Sequence, residues 1–241
     1  YMPTQNIPFA HVDDPDFEFL DTQWNTGTNF SVNATPSDPA ALEQLKGLIS
    51  GQLVAWDPVE QREVWRYQHA GPWNGGVLAT AGDLVFQGSL IGEFAAYDAE
   101  DGERLWVFPA QSGIAAAPAT YRAGDEQFVA IAVGWGSVFA LAGGEMTASM
   151  GMKNISRILA FRIGGEAALP QPQAPAPVRV PEPPEQFANG ETVAYGRSIF
   201  YKRCWVCHGN DAASGGIVPD LRYTSVEKHA IWDSIVLEGM L

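Results

Sequence analysis

Short apolar runs separated by Gly, Asp and Asn fill the first two thirds of the chain. Gly51-Gln-Leu-Val-Ala55-Trp-Asp57, followed by Trp65, recurs as Gly92-Glu-Phe-Ala-Ala96-Tyr-Asp98, followed by Gly102 and Trp106, at a constant offset of 41 residues. In each copy small and apolar residues alternate, turn at Asp-Pro or Asp-Gly, and resume in a second apolar run, 63–67 or 104–108. This pattern predicts antiparallel hairpins with polar turns. Further strands are predicted at 84–86 and 128–133, and a last one over 158–163 before Gly164-Gly165. A unit of roughly 40 residues has the spacing of a four-stranded propeller blade. About four units of that size fit ahead of residue 170, too few to close a ring, so further blades are expected upstream.

The uncharged stretch 127–144 approaches membrane-spanning length, but Gly134-Trp135-Gly136 interrupts it, and two short buried strands explain it better than a membrane helix. From Pro170 to Pro184 the sequence PQPQAPAPVRVPEPP places seven prolines in fifteen residues. Each proline removes a backbone donor and fixes φ, so neither helix nor internal strand is possible. This is read as an extended linker reaching about 46 Å at roughly 3.1 Å per residue, rather than as a ligand for a proline-binding domain. It sets a boundary: 1–166 is β-rich, 167–188 is linker, and 189–241 is helical. Thr192, Tyr195, Ile199 and Phe200 fall near one helical face that runs into Cys204-Trp205-Val206-Cys207-His208, and 228–237 predicts a second helix.

The 14 Lys and Arg against 28 Asp and Glu give a net charge of −14, which argues against nucleic acid or an anionic membrane surface as partner. The low charged fraction, 17%, with 11% aromatics excludes a wholly disordered chain. The absence of an initiator Met and of a signal segment leads us to expect an internal piece of a longer protein. The acidic segment His11–Asp21 lacks the loop glycine and ligand spacing of an EF-hand and is read as a solvated loop. His69 and His229 are read as hydrogen-bonded or surface histidines.

Both cysteines of the chain, Cys204 and Cys207, lie in CxxCH. Two thiols one helical turn apart can each add to a haem vinyl group, and His208 can then supply the axial nitrogen to iron. Three rival readings are weaker. A thioredoxin-like CxxC normally opens a helix after a strand, whereas here a helix precedes it. Zinc needs two more ligands, and His11, His69 and His229 are not closely spaced with the motif. A disulfide across two residues would be strained and leaves His208 without a role.

On these residues the chain resembles known families. Ala96-x-Asp98-x-x-x-Gly102-x-x-x-Trp106 matches the tryptophan-docking motif of pyrroloquinoline quinone (PQQ) dehydrogenases, whose fold is an eight-bladed all-β propeller; Ala55, Asp57 and Trp65 match too, with Gln61 where Gly is expected. The resemblance implies that these tryptophans pack blades together. Gly196, Phe200, CxxCH and Pro219 resemble a cytochrome c domain, small and all-α, in which a proline carbonyl orients the proximal histidine. The distal ligand of that group is a Met; Met240 is the methionine that follows His208, and the ligand is otherwise expected beyond residue 241. A propeller joined through a Pro-rich linker to one cytochrome c domain is the arrangement of quinohaemoprotein alcohol dehydrogenases. In relatives the tryptophan of a PWNGG-like segment lies near PQQ, which makes Trp73 and Asn74 candidate PQQ contacts; an Asn-Gly-capped turn is the alternative.

The resemblance implies oxidation of an alcohol substrate with PQQ, calcium and haem c as cofactors, in the periplasm, and with a cytochrome, copper protein or quinone as downstream electron acceptor. No nucleic acid is expected, and membrane association only through other subunits. The catalytic base and the calcium ligands are expected upstream of residue 1. Two alternatives remain: a non-catalytic propeller scaffold, which has no use for CxxCH, and a simple c-type electron carrier, which would not bind PQQ.

Overall fold

The computed structural model describes residues 1–21, 25–33, 36, 38–172, 179–183, 185–186 and 188–239. Ten strands form three antiparallel sheets. The first comprises β1 (Met2–Asn6), β2 (Ser50–Asp57) and β3 (Arg62–His69). The second is an up-and-down run of β4 (Val77–Ala79), β5 (Leu84–Gly88), β6 (Glu93–Asp98) and β7 (Arg104–Pro109). The third joins β8 (Ala119–Ala123), β9 (Glu126–Val133) and β10 (Arg157–Phe161).

The 41-residue repeat reappears in the register. Ala55 pairs with Trp65 and Ala96 with Trp106, and each pair is followed at once by a bulge. The turn carboxylates serve the backbone: Asp57 Oδ1 accepts from the N–H groups of Val59 and Glu60, and Asp98 Oδ1 accepts from that of Glu100. Trp65 wedges between the first two sheets and its indole N–H donates to the Ala99 carbonyl at 3.0 Å. Gly102, at φ +80°, leaves the space that this indole fills, since a Cβ there would lie 2.6 Å from the ring. A buried cluster of Leu53, Ala55, Trp65, Val85, Ala95 and Tyr97 joins the first sheet to the second. Phe94, Ile114, Ile131 and Val133 join the second to the third, where Trp106 meets Phe94 and Phe161 edge-on.

Gln61, at the position equivalent to Gly102, has φ +52°. A left-handed non-glycine residue carries about 1–2 kcal/mol of strain, which glycine relieves while giving back about 0.5–1 kcal/mol of chain entropy. Gln61→Gly is therefore expected to raise stability by up to about 1 kcal/mol in denaturant titration.

Two long insertions interrupt the sheets, 7–49 between β1 and β2 and 134–156 between β9 and β10. They take up the length that a fourth sheet would have needed, so among the described residues three sheets rather than four precede residue 170. The first carries α1 (Pro39–Leu48), capped by Asp38 with Pro39 in its first turn. The second carries α2 (Val138–Ala142) and α3 (Gly144–Ala148). The predicted second strand of the 127–144 stretch is thus corrected to a helix: the Ser137 hydroxyl accepts the N–H of Ala140 and starts it. A short apolar run does not by itself distinguish the two.

Beyond the Pro-rich stretch, of which 173–178 and 184 lie outside the described residues, come α4 (Gly190–Arg203), α5 (Trp205–His208), α6 (Val226–Ala230) and α7 (Trp232–Glu238). The single helix predicted over 228–237 is broken at Ile231. Of the predicted apolar face of α4, Thr192, Tyr195 and Ile199 are open to solvent, Tyr195 being 67% exposed, and Phe200 is half-buried; Tyr201 is the buried residue instead. Among the described residues, no helix is long and apolar enough to cross a membrane.

His69 is buried at the end of β3, where its Nε2 lies 2.8 Å from Gln87 Oε1; Gln87 in turn donates to the Gly75 carbonyl. Burial pushes its pKa below the usual histidine value, against a smaller upward pull from Gln87. The unfolded chain therefore binds the proton more readily, so stability is full above the ordinary histidine range and is lost as pH falls through and below it. Melting temperatures from pH 8 down to 5 should fall more steeply for the wild type than for His69→Gln; parallel profiles would contradict this.

Candidate functional site

The CxxCH segment is built as a helix end followed by one short turn. Asn189 caps the start of α4 by accepting the Thr192 N–H, and Cys204 closes it by donating to the Phe200 carbonyl at 2.8 Å. The Cys204 carbonyl then accepts from the N–H groups of Cys207 and His208, which makes α5 a single turn carrying both thiols and the imidazole. Gly209, at φ +74°, ends it. Both thiols are free, with Cys207 exposed and Cys204 half-buried; burial pushes the Cys204 thiol up.

His208 Nδ1 lies 3.2 Å from the Pro219 carbonyl. A carbonyl can only accept, so Nδ1 carries the proton and Nε2 is left with its lone pair free for a metal. The loop that presents Pro219 is held from within. Ser214 Oγ donates to the Val218 carbonyl at 2.6 Å and accepts the Gly216 N–H, while Asp220 accepts the Ser214 N–H. Burial raises the Asp220 carboxyl, but the bonds from Arg222 and Ser214 outweigh it and hold the group below its usual value. On the other side, Tyr201 and Arg197 both donate to Asp211, just past the motif.

The two insertions form the seat of this helical unit. From 7–33, Asp14 pairs with Lys202 at 3.1 Å, Phe30 packs at a tilt against Trp205 with centroids 4.6 Å apart, and the Asn33 carbonyl accepts from Asn210 Nδ2. The acidic segment 11–21 is thus not simply solvated: Asp14 is docked on α4. From the second insertion, Trp135 Nε1 donates to the Gly215 carbonyl at 2.7 Å. Backbones meet closely here; a Cβ at Gly144 would come within 2.9 Å of both Asn210 N and Ala213 O.

The donor set fits haem c: two free thiols and an imidazole with Nε2 available lie on one turn. Met240 lies outside the described residues. Trp73 packs on Phe139 at 5.7 Å and Asn74 clasps its own loop, donating to the Gly71 carbonyl and accepting the Leu90 N–H. The Asn74 amide thus ties its own turn to the β5–β6 connection. Among the described residues, no group of three His, Cys, Asp or Glu could hold a metal ion. Trp135, Ser214 and the insertion contacts were not read from the sequence; the available signal was a tryptophan flanked by Gly134 and Gly136, and the paired Gly215-Gly216.

A family model described as outer membrane protein assembly factor BamB matches residues 50–146. Quinohemoprotein alcohol dehydrogenase ADH IIB of Pseudomonas putida is 44% identical over 242 residues, covering 100% of this chain and 34% of the relative. The dehydrogenase subunit of alcohol dehydrogenase (quinone) of Gluconacetobacter polyoxogenes is 41% identical, covering 95% of this chain and 31% of the relative. The solved structure of quinohemoprotein alcohol dehydrogenase ADHIIG from Pseudomonas putida superposes with a TM-score of 0.84 at 34% identity, over 99% of this chain and 35% of that one. The Comamonas testosteroni enzyme structure gives a TM-score of 0.66 at 31% identity, over 97% and 33%. The chain spans about a third of the length of the curated relatives it matches. Matched along its whole length in sequence and in fold, the chain is similar to about a third of a quinohaemoprotein alcohol dehydrogenase.

Proposed function

We propose that the protein to which this chain belongs oxidises alcohols in the periplasm with PQQ and calcium, and passes the electrons within the molecule to a covalently bound haem c. In this reading 1–166 contributes blades of an eight-bladed propeller, 167–188 is a linker, and 189–241 is part of a cytochrome c domain. The observation that carries it is the His208–Pro219 bond beside the two free thiols of the same turn. When bound, PQQ supplies a two-electron acceptor and haem a one-electron carrier that relays electrons onward.

The chain's own residues have defined tasks. Cys204 and Cys207 anchor the haem through thioethers. His208 offers Nε2 to the iron while the Pro219 carbonyl keeps the proton on Nδ1 and fixes the ring. Trp73 and Asn74 are proposed to lie near PQQ; Met240 remains a candidate distal ligand. The substrate is a small alcohol, and the downstream acceptor is a cytochrome, copper protein or quinone.

A scaffold role, suggested by the description of the family model that matches 50–146, leaves CxxCH without a purpose. One experiment separates the readings. Full-length protein matured in an exporting host and loaded with PQQ and calcium should show haem reduction on anaerobic addition of a primary alcohol, with no dye present. A haem spectrum unchanged by alcohol would overturn the dehydrogenase reading.

A further inference from the structure

We infer that Trp135 is a positioning residue for His208: through the turn at Gly215, the sheet body fixes the carbonyl against which the imidazole is oriented. This rests on the haem reading proposed above. Trp135 lies two residues past the end of β9 and is 1% exposed. Its backbone N–H donates to Asn154 Oδ1, and its ring lies so close to Gly113 that a Cβ there would be 2.6 Å from it. The indole is therefore fixed to the sheet body and cannot swing away.

Its N–H is accepted by the Gly215 carbonyl at 2.7 Å. Gly215 is confined in turn, since a Cβ would collide with the Ala140 carbonyl and the Thr147 hydroxyl. Ser214, next in the series and 5% exposed, ties Gly216 to Val218 through its hydroxyl. Pro219 follows Val218, and its carbonyl receives His208 Nδ1–H. A continuous series of bonds thus runs from a rigid strand end to the imidazole. The strength and direction of the Nδ1–H···O bond govern how strongly Nε2 donates to a metal, so loosening this series should weaken donation and favour reduced iron.

The test uses full-length, haem-loaded protein and reads the haem midpoint potential by spectroelectrochemical titration. Trp135→Phe keeps the ring and removes the donor; Ser214→Ala releases the Val218 carbonyl. Both should raise the potential above that of the wild type, and the double variant should move it no further than the larger single change. Trp106→Phe, in the second sheet and away from this loop, should leave it unchanged. Wild-type potentials in Trp135→Phe and Ser214→Ala, with haem still covalently retained, would overturn the inference. If Trp135→Phe does not accumulate folded, Ser214→Ala decides alone by the same criterion. Absence of covalent haem in the wild type would remove the haem reading itself, and this inference with it.

Discussion

Replacing Gly102 by alanine is expected to lower the stability of the sheet body by about 2–5 kcal/mol. Two effects add. At φ +80° an L-residue carries roughly 1–2 kcal/mol of backbone strain. The new methyl would sit 2.6 Å from the Trp65 ring, and overpacking of that kind costs about 1–3 kcal/mol. The strain falls at the joint between the first two sheets, where Trp65 also donates to Ala99. Denaturant midpoints of the full-length protein check it. Trp65→Phe, which keeps most of the packing and loses one hydrogen bond, should cost only about 1 kcal/mol for that bond. A Gly102→Ala variant as stable as the wild type would show that the indole does not wedge there.

The second large effect concerns the thiols. Changing both Cys204 and Cys207 to serine should abolish covalent haem, read as loss of haem staining after denaturing electrophoresis. The sheets should be unaffected, because neither cysteine belongs to the buried clusters that join them. Each single variant should retain one thioether and part of the stain. His208→Ala should keep the haem attached yet slow alcohol-driven haem reduction by about 100-fold or more, since even the partners of a metal-bound histidine are worth about 10–100-fold. Full staining in the double variant would contradict the attachment chemistry.

What was legible in the sequence was local or periodic. The 41-residue offset, the Ala-Asp-Gly-Trp pattern and the Asp-capped turns depend on neighbours in the chain, and the structure places Ala55 with Trp65 and Ala96 with Trp106 accordingly. CxxCH was equally readable, and the resemblance to cytochrome c domains implied the His208–Pro219 bond that the structure contains. The misreadings have physical causes. Val138–Ala142 is apolar whether helical or extended, and the Ser137 hydroxyl decided for helix. β1, with the sequence MPTQN, has no alternation to announce it and is a strand because β2 pairs with it. The α1 start was detectable from Asp38-Pro39 and was missed. The seat under CxxCH was not readable, because it joins Asp14, Phe30 and Trp135 to residues some 80 to 190 positions away.

Intact-mass analysis of the exported, denatured wild-type protein tests most directly whether a porphyrin is held by two sulfurs ahead of His208. The predicted result is a mass exceeding the polypeptide by one haem, with Cys204 and Cys207 unreactive towards thiol reagents after unfolding. A bare polypeptide mass with both cysteines freely alkylated, the chromophore having been removed by acid-acetone, would contradict it.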